Sequence, residues 1–254
     1  MLKRRIIPVQ LLSGNRLIKT KRFAGERDVG DPVASAKVYN AQYADELVFL
    51  NVSREQRTIA PLMQLLDPVS AVSFMPLAMG GGVRSLSDAR QLILNGADKV
   101  IVNSAVYENA GLVREIAGEF GSQAVIVGID VRNDVPGGEP ELYSDCGRRL
   151  ERVSFDRHID RVVSSGAGEL FIHSIDRDGV MEGYDIALLK RAVKCAAIPI
   201  IGCGGAGNYT HLRDAFLDAG VSALACGSLF NFSDSNPLRA KAFLKNCGIP
   251  CKVI

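Results

Sequence analysis

The feature that most limits how this chain can fold is that it repeats itself at half its length. Glu46-Leu47-Val48-Phe49-Leu50 returns as Glu169-Leu170-Phe171-Ile172-His173. The run from Pro76 to Gly82 (PLAMGGG) returns from Pro199 to Gly205 (PIIGCGG). After each comes a helix-like stretch, then Asn95-Gly96-Ala97 or Ala219-Gly220-Val221, then a strand ending at Asn103-Ser104 or Gly227-Ser228. Two four-strand halves joined head to tail close into an eight-strand barrel, whereas an open doubly wound sheet does not require such a repeat.

Eight apolar runs supply the strands, at 6–11, 47–51, 76–79, 100–103, 124–129, 170–174, 199–202 and 223–226. They are continuous rather than alternating, as parallel strands covered on both faces must be. Helical patterns lie between them. Asp31-Pro32 reads as an N-cap with proline at the first helical position, ahead of Val33, Ala36 and Val38. The stretch 87–95 carries Ala89, Leu92 and Ile93 at helical spacing and stops at Gly96. The fold class is α/β: a single (β/α)8 barrel of the TIM type spanning 1–254, close to the ~250 residues typical of that fold. Asn133, Asp134, Pro136 and Gly138 mark a long loop after the fifth strand.

Composition serves mainly to exclude. A net charge of +2 without a run of like charges argues against nucleic acid and membrane surfaces. No apolar stretch reaches the ~18 residues of a membrane span, and the opening residues read as a strand rather than a signal peptide. A cytoplasmic protein is therefore expected, with its six scattered cysteines reduced. Cys247 and Cys251 have no second pair to complete a metal site, so neither metal nor cofactor is expected.

Active sites of such barrels lie at the C-terminal ends of the strands. There the chain carries Gly81-Gly82 and Asn103-Ser104 in one half, and Gly204-Gly205 and Gly227-Ser228 in the other. Glycine lets backbone N–H groups approach a phosphate, and a helix N-terminus adds a favourable dipole. Tight β-to-α turns also use glycine, but paired turns in both halves favour two phosphate cradles. These imply a small-molecule substrate with a phosphate at each end.

Asp176-Arg177-Asp178-Gly179, the Gly-Gly turns, Gly121-Ser122-Gln123 and Arg5-Ile6-Ile7 resemble HisF, the cyclase subunit of imidazole glycerol phosphate synthase. Members of that family draw ammonia from a glutaminase subunit through the barrel axis. They combine it with a doubly phosphorylated ribulosyl intermediate, which is cleaved and cyclised in histidine biosynthesis. The resemblance implies a catalytic Asp130, supporting roles for Lys19 and Asp178, and phosphate binding that includes Gly179. It implies an ammonia gate of Arg5, Glu46, Lys99 and Glu169, and a glutaminase partner of the HisH type docking in a heterodimer near Asp98 and Gln123. The family's other catalytic aspartate, at the end of strand one, matches Leu11, and the internal repeat independently sets Leu11 opposite Asp130. Gln10 faces the other way on the strand and does not substitute for it. His173 stands where the family has a small hydroxyl residue and is a candidate acid or base.

The leading expectation is a HisF-like subunit that passes ammonia to a phosphorylated or nucleotide-linked acceptor, in the manner of relatives that amidate surface-polysaccharide sugars. The alternatives are a working imidazole glycerol phosphate synthase cyclase, a lyase of histidine biosynthesis, and a sugar-phosphate isomerase of the HisA type.

Overall fold

The computed structural model describes residues 3–109, 111–133 and 138–252. Eight strands form the barrel: β1 (Arg5–Ser13), β2 (Leu47–Asn51), β3 (Leu77–Gly80), β4 (Lys99–Val102), β5 (Val125–Arg132), β6 (Glu169–Ser174), β7 (Ile200–Cys203) and β8 (Ala223–Cys226). Every neighbouring pair is parallel, and the ladders β5–β6 and β8–β1 complete the circuit. All eight expected runs are strands, and the chain is a (β/α)8 barrel.

Side-chain alternation along each strand splits the core in two. One set, including Ile6, Phe49, Met79 and Leu170, packs outward beneath the helices. The other, including Ile7, Val48, Ile126 and Phe171, fills the barrel interior. Gln10 is fully buried and faces away from that interior, so it stays out of the mouth, as its strand position requires.

Helix starts follow the local chemistry. Asp31 caps helix Pro32–Ala41 by accepting from the Ala34 N–H at 2.7 Å. The inward face of that helix is Pro32, Ala36 and Tyr39, while Val38 is half exposed. This corrects the expected register, because the aromatic ring at 39 buries more apolar area than valine at 38. Helix Leu86–Leu94 begins one residue earlier than its apolar spacing suggests. Ser85 and Asp88 form a reciprocal capping box there.

Two antiparallel hairpins extend the barrel and were not foreseen. Arg16–Lys21 and Ala24–Gly30 continue from β1, and Glu141–Ser144 and Arg149–Glu151 continue from β5. They occupy equivalent places in the two halves. Each tip has two successive non-glycine residues with left-handed backbone: Arg22 and Phe23 at φ 54° and 61°, Asp145 and Cys146 at φ 55° and 54°. At Arg22-Phe23 this is a two-residue hairpin turn, which normally announces itself as Asn-Gly or Asp-Gly, whereas the second tip is a four-residue loop, 145–148, that includes left-handed Gly147. Of the loop expected after β5, Asn133 and Gly138 are described, while Asp134 and Pro136 lie outside the described residues.

Candidate active site at the C-terminal mouth

The barrel interior is charged at its floor, apolar through its middle and mixed at its mouth. At the floor, Arg5 pairs with Glu46 at 2.9 Å and with Glu169, while Lys99 reaches Glu46 at 2.9 Å and Glu169 at 2.6 Å. The four side chains close a ring across the strand starts. Arg5 and Lys99 hold the Glu169 carboxyl below its usual range against the opposing effect of burial. Above the ring the lining is Ile7, Val48, Ala78, Ile126 and Ala223.

At the mouth, β5 and β6 set Asp130 and His173 side by side in register. His173 is 5% exposed, with Nδ1 3.9 Å from Asp130 Oδ1 and Nε2 3.5 Å from Asp178 Oδ1. Asp178 is held by Thr20 Oγ1 at 2.7 Å and by the Phe23 N–H at 3.2 Å, so the first hairpin clasps it from above. The Phe23 ring meets the imidazole edge-on at 4.8 Å. Burial pushes the Asp130 carboxyl up to about 6, although His173 and Asn103 oppose the shift. Burial disfavours the imidazolium, but Cys203 and Asp178 beside it raise the His173 pKa well above its ordinary value. Asp178 stays below the usual carboxylate range despite burial, because His173, Thr20 and Phe23 stabilise its charge. Lys19 is buried, donates to the Val9 carbonyl at 2.5 Å, and is brought down to about 8 by desolvation. Three ionisable groups thus surround one histidine, with Lys19 inside the same mouth.

The glycine turns lie where expected, but their glycines answer first to chain packing. A Cβ on Gly82 would stand 2.5 Å from the Thr58 backbone, and one on Gly205 would stand 2.0 Å from the Gly183 carbonyl. Both have left-handed φ, 91° and 108°. A bulky residue at Gly205 would therefore distort the loop rather than simply block a ligand. Asn103 and Gly227 precede the short helices Ser104–Glu108 and Ser228–Phe232 with nearly the same backbone angles, as repeat partners should. The Asn103 amide donates to Asp130 Oδ2 at 2.9 Å, and Ser104 Oγ accepts from the Asp145 N–H at 3.0 Å. Asn103 thus orients the carboxylate as well as lining the mouth.

A cavity of about 260 Å³ opens beside this cluster, over the first half of the barrel. Asp130, His173, Asn103, Ser104, Gly81 and Gly82 line it, together with Arg54, Arg57, Arg84 and Arg149. Among the described residues, Gly179, Gly204, Gly205, Gly227 and Ser228 do not. The four arginines escaped the sequence reading. The available signal was that Arg54, Arg57 and Arg84 fall in loops directly after β2 and β3, at the active end. Arg57 is paired with Asp145, and Arg149 with Glu108 at 2.8 Å. Among the described residues, no group of three His, Cys, Asp or Glu side chains is arranged to hold a metal ion.

The chain matches the histidine biosynthesis protein family over residues 5–236. It is 38% identical over 253 residues to the imidazole glycerol phosphate synthase subunit HisF of Caulobacter vibrioides, strain NA1000 / CB15N. The same figure holds for that subunit from strain ATCC 19089 / CIP 103742 / CB 15, and each match covers 100% of this chain and 97% of the relative. This chain belongs to the HisF family. Within this HisF-family barrel, Leu11 and Asp130 occupy equivalent places by two registers. Leu11 pairs with Leu50 on β2 and Ile18 in the first hairpin, while Asp130 pairs with His173 on β6 and Tyr143 in the second. Asp98 and Gln123 are exposed at the opposite, N-terminal face, and each also has a local task. Asp98 Oδ2 accepts the Leu77 N–H at 2.8 Å, and Gln123 Nε2 donates to the Phe120 carbonyl at 2.9 Å. Among the described residues, no helix is long and apolar enough to cross a membrane.

Proposed function

We propose that residues 1–254 act as one barrel domain, a HisF-type subunit that joins ammonia to a phosphorylated substrate by the cyclase reaction of imidazole glycerol phosphate synthase. The observation that carries this reading is His173 lying 3.9 Å from Asp130 and 3.5 Å from Asp178 at the open end of an apolar barrel. With its pKa raised, the imidazolium is the proton donor, and Asp130, near 6, is the acceptor for protons released as nitrogen adds. An apolar interior above the floor ring favours neutral ammonia over ammonium, whose desolvation is far more costly. The ring of Arg5, Glu46, Lys99 and Glu169 is the gate in this reading, and a HisH-type glutaminase is the source. Tyr43, Phe74 and Leu94 are exposed in the segments leading into β2, β3 and β4, at the same end as Asp98 and Gln123, and exposed apolar side chains there support docking of that partner. Backbone amides near Gly82 and Asn103, and near Gly179, Gly205 and Ser228, would hold the phosphates.

The test is turnover of the doubly phosphorylated ribulosyl intermediate with ammonium salt, and with glutamine once the glutaminase is added. Formation of the imidazole product, lost in Asp130→Asn, is the expected outcome. An inactive protein that still binds the glutaminase would rule out the cyclase.

One observation favours a second reading. Leu11 puts an apolar side chain where the internal repeat sets Asp130, leaving the proton chemistry one-sided. In that reading the barrel conducts ammonia toward a phosphorylated or nucleotide-linked acceptor, as in amidation of surface-polysaccharide sugars. Growth without histidine of a strain lacking its own cyclase subunit, when supplied with this protein, excludes it.

A further inference from the structure

Cys203 is a nucleophilic side chain inside the barrel that the proposed reaction does not use. It ends β7 directly beside His173 in the β6–β7 ladder, and His173 in turn pairs with Asp130 on β5. Three neighbouring strands thus carry carboxylate, imidazole and thiol at one height. Cys203 packs inward with Ile18 and Phe171, which also line the mouth cavity, and is 7% exposed. Two groups able to carry positive charge flank it. His173 is buried, and among the described residues its Nε2 makes no hydrogen bond. Lys19 is buried too, and its ammonium donates to the Val9 carbonyl. Burial by itself would depress both cations. Cys203 leads the groups that raise His173 instead, while Asp178 and then Cys203 support Lys19, which at about 8 stays largely charged at neutral pH. Cations beside a thiol favour the thiolate, the form that attacks electrophiles.

The other cysteine of the mouth is its opposite. Cys146 is exposed and lines the cavity, but desolvation, then Asp130 and Asp145, pushes its thiol up. Elsewhere burial pushes Cys226 up to about 12 and Cys251 to about 11. We propose that Cys203 is a site of reversible oxidation by hydrogen peroxide, its thiolate paired with the His173 imidazolium. The sulfur attacks one peroxide oxygen, so that an S–O bond forms and the O–O bond breaks. The departing hydroxide takes the proton from His173 and leaves as water. Sulfur is oxidised by two electrons to the sulfenic acid, and the peroxide is reduced. A thiol reductant reverses the step, giving back cysteine with a disulfide and water. The enclosure of Cys203 selects an oxidant about the size of water over a bulky electrophile. Oxidation replaces the anion beside His173 with a sulfenic acid, which ties the proton donor of the mouth to redox conditions.

The test exposes the intact protein to hydrogen peroxide, removes the excess with catalase, and unfolds the chain in dimedone. Each sulfenic acid is thereby trapped and located by peptide mass. An unassisted thiol is only a few per cent thiolate at neutral pH, so Cys203 should oxidise roughly tenfold faster than Cys146. Dithiobis(nitrobenzoate), a bulky aromatic disulfide, should label the two in the reverse order. Dithiothreitol added before unfolding should restore the Cys203 thiol. His173→Gln should slow oxidation of Cys203 several-fold, as should Lys19→Met, which serves in its place if the first variant folds poorly. An unreactive Cys203, oxidation of Cys146 at an equal or greater rate, or an unchanged rate in the folded variant would overturn the proposal. The readout is mass rather than turnover, so the result is independent of the cyclase reading.

Discussion

The two halves of the barrel share a backbone and have divided its chemistry between them. The first half supplies Arg5, Glu46 and Lys99 to the floor ring, and the second supplies only Glu169. At the mouth the balance reverses. The first half offers Leu11 and Leu50, and the second offers Asp130 and His173 at equivalent positions in the ladders. Both arrangements fit because an interior position is set by strand register, while what it does depends on whether a side chain there finds partners. Leu11 and Leu50 need none. Asp130 and His173 have each other, Asn103 and Asp178.

The largest expected contrast is in turnover. Asp130→Asn and His173→Ala, each removing a proton-transfer group, should lower ammonia-dependent turnover by roughly 100- to 10,000-fold. Leu11→Ala should leave it within an order of magnitude. A comparable loss from Leu11→Ala, measured as kcat on the same substrate, would break the division. Leu11→Asp sharpens it, because a carboxylate restored to the first half should raise turnover if the mouth is otherwise arranged for the cyclase.

At the floor the first half should dominate stability instead. Lys99→Met leaves buried Glu46 and Glu169 sharing Arg5 alone, and should cost on the order of 3 kcal/mol in denaturant unfolding. Turnover with added ammonium should change far less than turnover with glutamine as the source.

Two buried histidines of the second half make a smaller, pH-dependent contrast. His158 is fully buried, stacked on Tyr107 at 4.3 Å, and lowered to about 4 by burial and then by Arg161. Its folded pKa lies below the unfolded value near 6.5. Its contribution is therefore complete above that value and is lost as pH falls toward 4, by about 3 kcal/mol at most. His158→Phe should flatten the stability profile across that window. His173, shifted the opposite way, contributes stability below about pH 6.5 that fades as pH rises through its raised value, so His173→Ala should not flatten the acid limb.

The smallest effect marks what the halves still share. Ser85 and Asn208 cap equivalent helices after β3 and β7, accepting from Asp88 N–H at 3.1 Å and His211 N–H at 3.0 Å. Replacing either with alanine should cost about 1 kcal/mol in thermal unfolding. Markedly unequal costs would show that the scaffold itself, and not only its chemistry, has diverged.

Strand number, the middle of each strand, the charged residues at the strand starts and the glycine turns were legible in the linear chain, while β1 and β5 run past their expected ends to Ser13 and Arg132. Each depends on a local pattern: a run of apolar residues, a charge at a strand start, a glycine where backbone must pass close to backbone. The hairpins were only partly marked: Gly14-Asn15 and Gly147 signal turns, but Arg22-Phe23 adopts a two-residue left-handed turn without the glycine that usually announces one. Tyr39 took the place expected for Val38 because only packing against neighbouring elements decides which of two adjacent residues turns inward.

By itself the sequence determined a duplicated eight-strand barrel, with Leu11 in the place that the repeat gives to Asp130. Periodicity, strand-end charges and glycine placement act over a few residues and survive in one dimension. Only the tertiary structure decided that His173 is flanked by two carboxylates, from β5 and the loop after β6, with the first hairpin laid across them. Only it set Leu11, Leu50 and Ile18 side by side. Most of those neighbours lie far apart in the chain, and ladder register and barrel closure bring them together.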